Sequence, residues 1–346
     1  MLQELQINGL WAGKQTGKGA PNAAPGRRFR QVAGALGVTR EDGSENYSDA
    51  TQFTDTQDWV NTLIGSGTPG VHATPDELAW LMWVLEGGET TIAVPPPPAV
   101  LVKTKHVVSP LPGLGHWTTW ATRKGSSVVD RLQHNDCQLG QMQIEGSTAN
   151  KAVRATPTIM SLDPGVQRAA DPAAVMPAQA ALLYTDGTGR FKIDGTVFRG
   201  HSQFTLVINK DLQPIYSDDV VVQDFALGTG VVTIAVTLYF DQDGRAQWNK
   251  LVYGNSAPAA GAKPLRTVSP LGAYEFDLQQ RDAAGAVNNN KFKLAVPGVK
   301  WAIPAAPDPN PDGGAGELAL AGAMRKVAGQ PNYTVEIDTD APAFAV

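Results

Sequence analysis

Cysteine is almost absent from this chain of 346 residues, with Cys137 the single example. A lone thiol excludes an internal disulfide framework and a multi-cysteine zinc site, and its strand-like surroundings mark it as a small buried apolar side chain. Charge is also scarce. Charged residues make up 18% of the chain, the formal net charge is −5, and no basic run is longer than Arg27-Arg28. Such a surface has no general attraction for duplex DNA. Long apolar runs are missing too; Leu78–Leu85 and Val231–Phe240 are the longest, and both are far too short to span a bilayer. The opening Met-Leu-Gln-Glu-Leu-Gln has neither the basic start nor the apolar centre of a secretion signal, so the chain is expected to be soluble as made, without insertion into a membrane.

Signatures of catalysis and of cofactor binding are equally thin. The five histidines, His72, His106, His116, His134 and His201, include no pair at metal-ligand spacing, and no Gly-x-Ser-x-Gly elbow marks a nucleophile. Gly65-Ser-Gly-Thr-Pro-Gly70 fits the dinucleotide fingerprint by letter, but Pro69 removes a backbone donor and no βαβ unit surrounds it, so it reads as a structural turn. Asp308-Pro-Asn310-Pro-Asp312-Gly313 opens like a calcium loop, yet Ala319 stands where the closing acid belongs, which leaves a solvated loop. Trp80 and Trp83, three apart among Leu and Met, read as core, while Trp117 and Trp120 leave room for a sugar-binding platform. No enzyme and no cofactor are expected.

What the chain does have is internal repetition. Phe29-Arg30 and Tyr47-Ser48-Asp49 return at one common separation as Phe198-Arg199 and Tyr216-Ser217-Asp218, Val108-Ser-Pro-Leu111 returns as Val268-Ser-Pro-Leu271, and Gln138-Leu139 finds a counterpart near Lys293-Leu294. Ordered recurrence of this kind predicts a duplicated module. The reading divides the chain into an N-terminal arm (1–28), a first domain (29–165), a linker (166–180), a second domain (181–340) and a short tail (341–346), sizes at which each domain can bury its own core.

The 36 glycines and 25 prolines favour short strands and frequent turns. One helix stands out. Thr74-Pro-Asp-Glu77 is a capping box with proline at the first helical position, leading into Leu78–Leu85 and stopped by Gly87-Gly88. Asp243–Tyr253, stopped by Gly254, is its weaker equivalent. Elsewhere the period is two: Tyr274, Phe276 and Leu278, then Phe292, Leu294 and Val296, alternate with polar residues, and Val231–Phe240 reads as a central strand. Cys137–Ile144 alternates only if a β-bulge sits at Gly140. Phe29–Val38 reads as a strand, the residues through Gln57 as a polar segment, Trp59–Ile64 as a short element, and Leu182–Tyr184 with Phe191–Ile193 as a hairpin.

The order of Thr-Pro-Asp-Glu-Leu-x-Trp-Leu (74–81), Val-x-Ser-Pro (107–110), Trp-Thr-Thr-Trp (117–120) and Asn-Asp-Cys-Gln-Leu-Gly-Gln-Met-Gln-Ile-Glu-Gly (135–146) resembles the major tail tube proteins of long-tailed bacteriophages. The resemblance implies a mainly β fold of two tandem β-sandwich or barrel tail-tube domains, each with one flanking α-helix, plus extended arms and Pro-rich loops. It implies a structural virion protein, made in the host cytoplasm, that polymerises into stacked rings forming a channel for tape-measure protein and ejected DNA. Partners would be further copies of itself, the tape-measure protein and the tail-tip and terminator proteins, with DNA passing through non-specifically. Two tube domains per chain imply trimeric, pseudo-hexameric rings. The Pro-rich loops, Pro95, Pro96, Pro97 and Pro98, and Pro307, Asp308, Pro309, Asn310 and Pro311, are then the expected inter-subunit contacts. The competing expectation is a carbohydrate-binding or receptor-binding β protein of a phage.

Overall fold

The structure is a computed structural model that describes residues 9–48, 54–94, 103–125, 131–176, 182, 191–198, 200–216, 220–267, 271–281, 287–305, 316–339 and 344. It is mainly β, with 57% strand and two helices. The first half runs β1 (Gly9–Lys14), β2 (Arg27–Phe29), β3 (Gln31–Ala33), β4 (Leu36–Ser48), β5 (Thr54–Gly67), β6 (Gly70–His72), α1 (Pro75–Glu86), β7 (Gly87–Val94), β8 (Lys103–Pro110), β9 (Thr118–Arg123), β10 (Arg131–Ser147), β11 (Arg154–Ser161) and β12 (Val166–Gln167). The second runs β13 (Phe191–Ile193), β14 (Thr196–Phe198), β15 (His201–Asn209), β16 (Leu212–Tyr216), β17 (Val222–Leu227), β18 (Val231–Tyr239), α2 (Gln242–Tyr253), β19 (Gly272–Arg281), β20 (Val287–Trp301), β21 (Glu317–Met324) and β22 (Thr334–Thr339). Apart from the separate β16–β17 pair, the strands join one network that encloses the core in barrel fashion.

Both helices form where their local code places them. The Thr74 hydroxyl accepts from the Glu77 N–H at 3.2 Å and a Glu77 carboxylate oxygen accepts from the Thr74 N–H at 3.3 Å, closing the capping box. Gly87 ends α1 in the left-handed region at φ 78°. In α2 the Asp241 carboxylate caps the Gly244 N–H at 2.9 Å and Gly254 ends the helix at φ 77°. Their burial differs. Every residue of α1 but Asp76 is buried, as a helix apolar on all sides requires, whereas α2 buries only Gly244, Gln247 and Leu251.

Most strands of the first half have a counterpart in the second that pairs in the same order and register; the β7–β8 hairpin has none among the described residues. The Leu10↔Phe29 pair of β1–β2 matches Phe191↔Phe198 of β13–β14, and Trp11↔Ala121 of β1–β9 matches Lys192↔Glu275 of β13–β19. His134↔Trp120 matches Val296↔Tyr274, and in each half an irregularity follows before the next pair, Cys137↔Thr118 or Val299↔Gly272. Leu139↔Ile159 matches Trp301↔Gly322, and Leu132↔Gln167 matches Leu294↔Val335. Against β11 lie β5 and β6, split by Pro69; against β21 lies the unbroken β18. The Gly65–Gly70 segment, read as a turn, is instead strand on both sides of a break at Thr68-Pro69: Gly65–Gly67 close β5, paired with β11 and β4, and Gly70 opens β6, while β18 is central between β15 and β21.

Several sequence expectations are met and others corrected. The bulge at Gly140 is present, between Leu139 and Gln141, and Cys137 is buried. Residues 9–14, read as part of an arm, instead form β1, whose Leu10, Trp11 and Ala12 are core residues paired with β9. The polar segment before Gln57 and the short element after it are the two long strands of the β4–β5 hairpin; few of its side chains are apolar because its outer part stands clear of the core. Phe191–Ile193 turns forward onto Thr196–Phe198 through Asp194-Gly195, both at positive φ as a tight hairpin needs, rather than back onto Leu182. Leu182 instead bonds Ala73 and Val153. The counterpart of Gln138-Leu139 by register is Lys300-Trp301, not Lys293-Leu294.

Candidate assembly surface

The repeated phenylalanines lie in one core cluster that runs through both halves. Phe29 stacks on Trp120 at 5.5 Å and meets Trp80 at 5.7 Å, while Phe198 meets Phe191 at 5.8 Å, and Phe191 meets Tyr274 at 5.2 Å. Trp80, Trp83 and Trp120 are buried, so the Trp117–Trp120 pair presents no aromatic platform. Trp117 packs on Phe225 of the second half, ring centroids 6.1 Å apart.

The halves are joined by a ladder and a buried polar cluster. β15 pairs with the second part of β10 from Gln141↔Asn209 to Ser147↔Gln203. At its end the Lys210 N–H donates to the Gly140 carbonyl at 2.8 Å. The Lys210 ammonium donates to the Leu85 carbonyl at 2.7 Å and lies 3.4 Å from the Glu86 carboxylate, which also accepts from the buried Tyr333 hydroxyl. Burial and that carboxylate push the Tyr333 phenol well above its ordinary pKa, so it stays a neutral donor. The last residue of α1 thus holds two groups of the second half. Its sequence signal was a single charge, Glu86, closing an apolar helix. A second tie comes from β22, which pairs with β8 from Val335↔Val108 to Thr339↔Thr104.

Other surfaces are open. β4 pairs only with β5 and β7 only with β8 among the described residues, so each leaves one edge without a ladder partner. The outer β4–β5 hairpin carries a groove of about 400 Å³ lined by Arg40, Asp42, Asp58 and Trp59. The β16–β17 hairpin lies over the first half: Leu212, Val222, Phe225 and Leu162 form a small second core, and Lys18 pairs with Asp224 at 3.2 Å. Pro95–Pro98 and Pro307–Pro311 fall outside the described residues, between β7 and β8 and between β20 and β21.

No described cluster resembles a reaction centre. His134 is buried with neither ring nitrogen hydrogen-bonded among the described residues, and burial lowers its pKa to about 4, so it is neutral. Burial also lowers the pKa of His72, His116 and His201 and raises that of the Cys137 thiol. Among the described residues no group of three or more His, Cys, Asp or Glu could hold a metal, and no helix is long and apolar enough to cross a membrane.

A mainly β protein that leaves sheet edges and a long hairpin open is built on the pattern of an assembly component. The family model for phage tail tube proteins matches residues 11–317, nearly the whole chain. The chain belongs to this family, with the structural tail-tube role that membership carries, and the family implies self-assembly into a tube in the tail of the virion. No curated protein matches the chain significantly.

Proposed function

We propose that the chain is a duplicated tail tube subunit whose two tandem tube domains, 29–165 with β1 added and 181–340, let three copies close a pseudo-hexameric ring. Rings stack into the tail tube, through which tape-measure protein and then genomic DNA pass, and tail-tip and terminator proteins bound its ends. The repeated pairing register carries this reading, because two modules joined head to tail within one chain already make one third of a six-module ring. The weakly acidic balance suits a lumen that must not hold phosphates, and the role requires no enzyme activity. The Pro-rich loops 95–98 and 307–311 are kept as inter-subunit contacts. The test is solution mass together with negative-stain images of concentrated protein. Rings or tubes with three chains per ring are expected; a species that stays monomeric at all concentrations, or rings of six chains, would sink the proposal.

A further inference from the structure

The joint inside the chain indicates how the joint between chains is made. Within the chain, the β16–β17 hairpin seats Leu212 and Phe225 on a first-half surface that includes Leu162 and Trp117. The register identifies the counterpart of each of these residues. Leu212↔Leu227 and Pro214↔Phe225 of β16–β17 match Asp42↔Val60 and Ser44↔Asp58 of β4–β5, so Asp42 stands at the Leu212 position and Asp58 at the Phe225 position. On the receiving side, the Leu162 N–H donates to the Asp136 carbonyl just as the Arg325 N–H donates to that of Gly298, next to the matching pairs Cys137↔Ser161 and Val299↔Met324. Arg325 therefore stands at the Leu162 position, and Leu271, which precedes Gly272 as Trp117 precedes Thr118, stands at the Trp117 position.

These counterparts are exposed where the originals are covered. Asp42 and Asp58 are exposed, Asp42 beside Arg40, and so are Arg325, the adjacent Lys326 and Leu271. They do not meet within one chain. From β5 to β21 the sheet crosses β11, β10, β15 and β18, five ladder steps of about 4.8 Å each. We infer that the β4–β5 hairpin of one copy seats Asp42 and Asp58 on the Arg325 corner of a second copy, repeating with charges the apolar joint made inside the chain. The occupant is fixed by position and by sign: the acidic hairpin has the place of one half of a joint, and the basic corner has the place of the other. A joint closed by exposed charges rather than by apolar burial is weak on its own and responds to salt, which lets the free subunit remain dispersed.

This inference rests on the tube reading, and its test separates the two. Asp42→Lys with Asp58→Lys, and separately Arg325→Asp, should raise the concentration needed for assembly at least tenfold while the isolated subunit keeps its melting temperature. Combining all three substitutions should restore assembly to near the wild-type concentration. Wild-type rings that are indifferent to the reversals, or a triple variant that folds and fails to recover, would overturn the joint and leave the tube standing. Wild-type chains that never assemble would overturn the tube reading itself.

Discussion

α1 and α2 hold equivalent places in the two halves, each entered from a strand in matching register, each capped by an oxygen side chain and each closed by a left-handed glycine. Yet α1 is buried on all sides against β7, β8, β10, β20 and β22, drawn from both halves, while α2 rests one face on its own half. The same difference runs through the strands: Ile208 of β15 is 2% exposed, and its register counterpart Val38 of β4 is 47% exposed. Local code thus sets which elements form, and neighbours set how deeply each is buried. The first half carries the central helix, and the second half covers it.

The difference between the two helices is tested most strongly at their tryptophans. Trp80→Ala should cost about 3–5 kcal/mol, and Trp248→Ala, on the half-buried face of α2, about 1 kcal/mol, read from denaturant midpoints of the unassembled subunit. Equal losses would mean that α1 is not the shared core. Glu86→Ala comes next, at about 3 kcal/mol, because it strips Lys210 and Tyr333 of a buried acceptor; α2 has Tyr253 at the matching end and no such cluster. Separate unfolding of the halves in this variant, against one transition in the parent, would sharpen the point.

His134 and its counterpart Val296 supply a test by pH. The histidine has a pKa of about 4 when folded against an ordinary 6.5, so the unfolded chain binds the extra proton between those values. Stability is therefore fully present above pH 6.5 and falls as pH drops towards 4, by about 3 kcal/mol for this group. His134→Val should flatten that slope, measured as melting temperature against pH, and an unchanged slope would assign the effect elsewhere. The smallest effects are expected at the caps. Thr74→Ala and Asp241→Ala should each cost about 1 kcal/mol, alike in both halves, since a cap is a local interaction.

Much of this was legible in the sequence because it is encoded within a few residues. Thr74, Glu77 and Gly87 bound α1, Gly254 closes α2, the apolar alternation of β19 and β20 fixes their inner faces, and the irregular spacing at Leu139 and Met142 located the Gly140 bulge. The role of Glu86 was not legible, since its partners Lys210 and Tyr333 lie far along the chain and nothing local marks them. Nor was β1, whose short Gly-Leu-Trp-Ala-Gly run between polar residues gains its place only by pairing with β9.

By itself, then, the sequence determined the repeated letters, the helices with their caps, and the family to which their order belongs. Tertiary structure alone decided which of those letters mark a repeated pairing register, Phe29 and Phe198 doing so while Leu271 answers Trp117 and not Leu111, that Asp42 and Arg325 stand where Leu212 and Leu162 stand in the other half, and that one helix serves both. The reason is physical: caps and alternation act over one turn or one strand, whereas register and burial are properties of partners that only folding brings together.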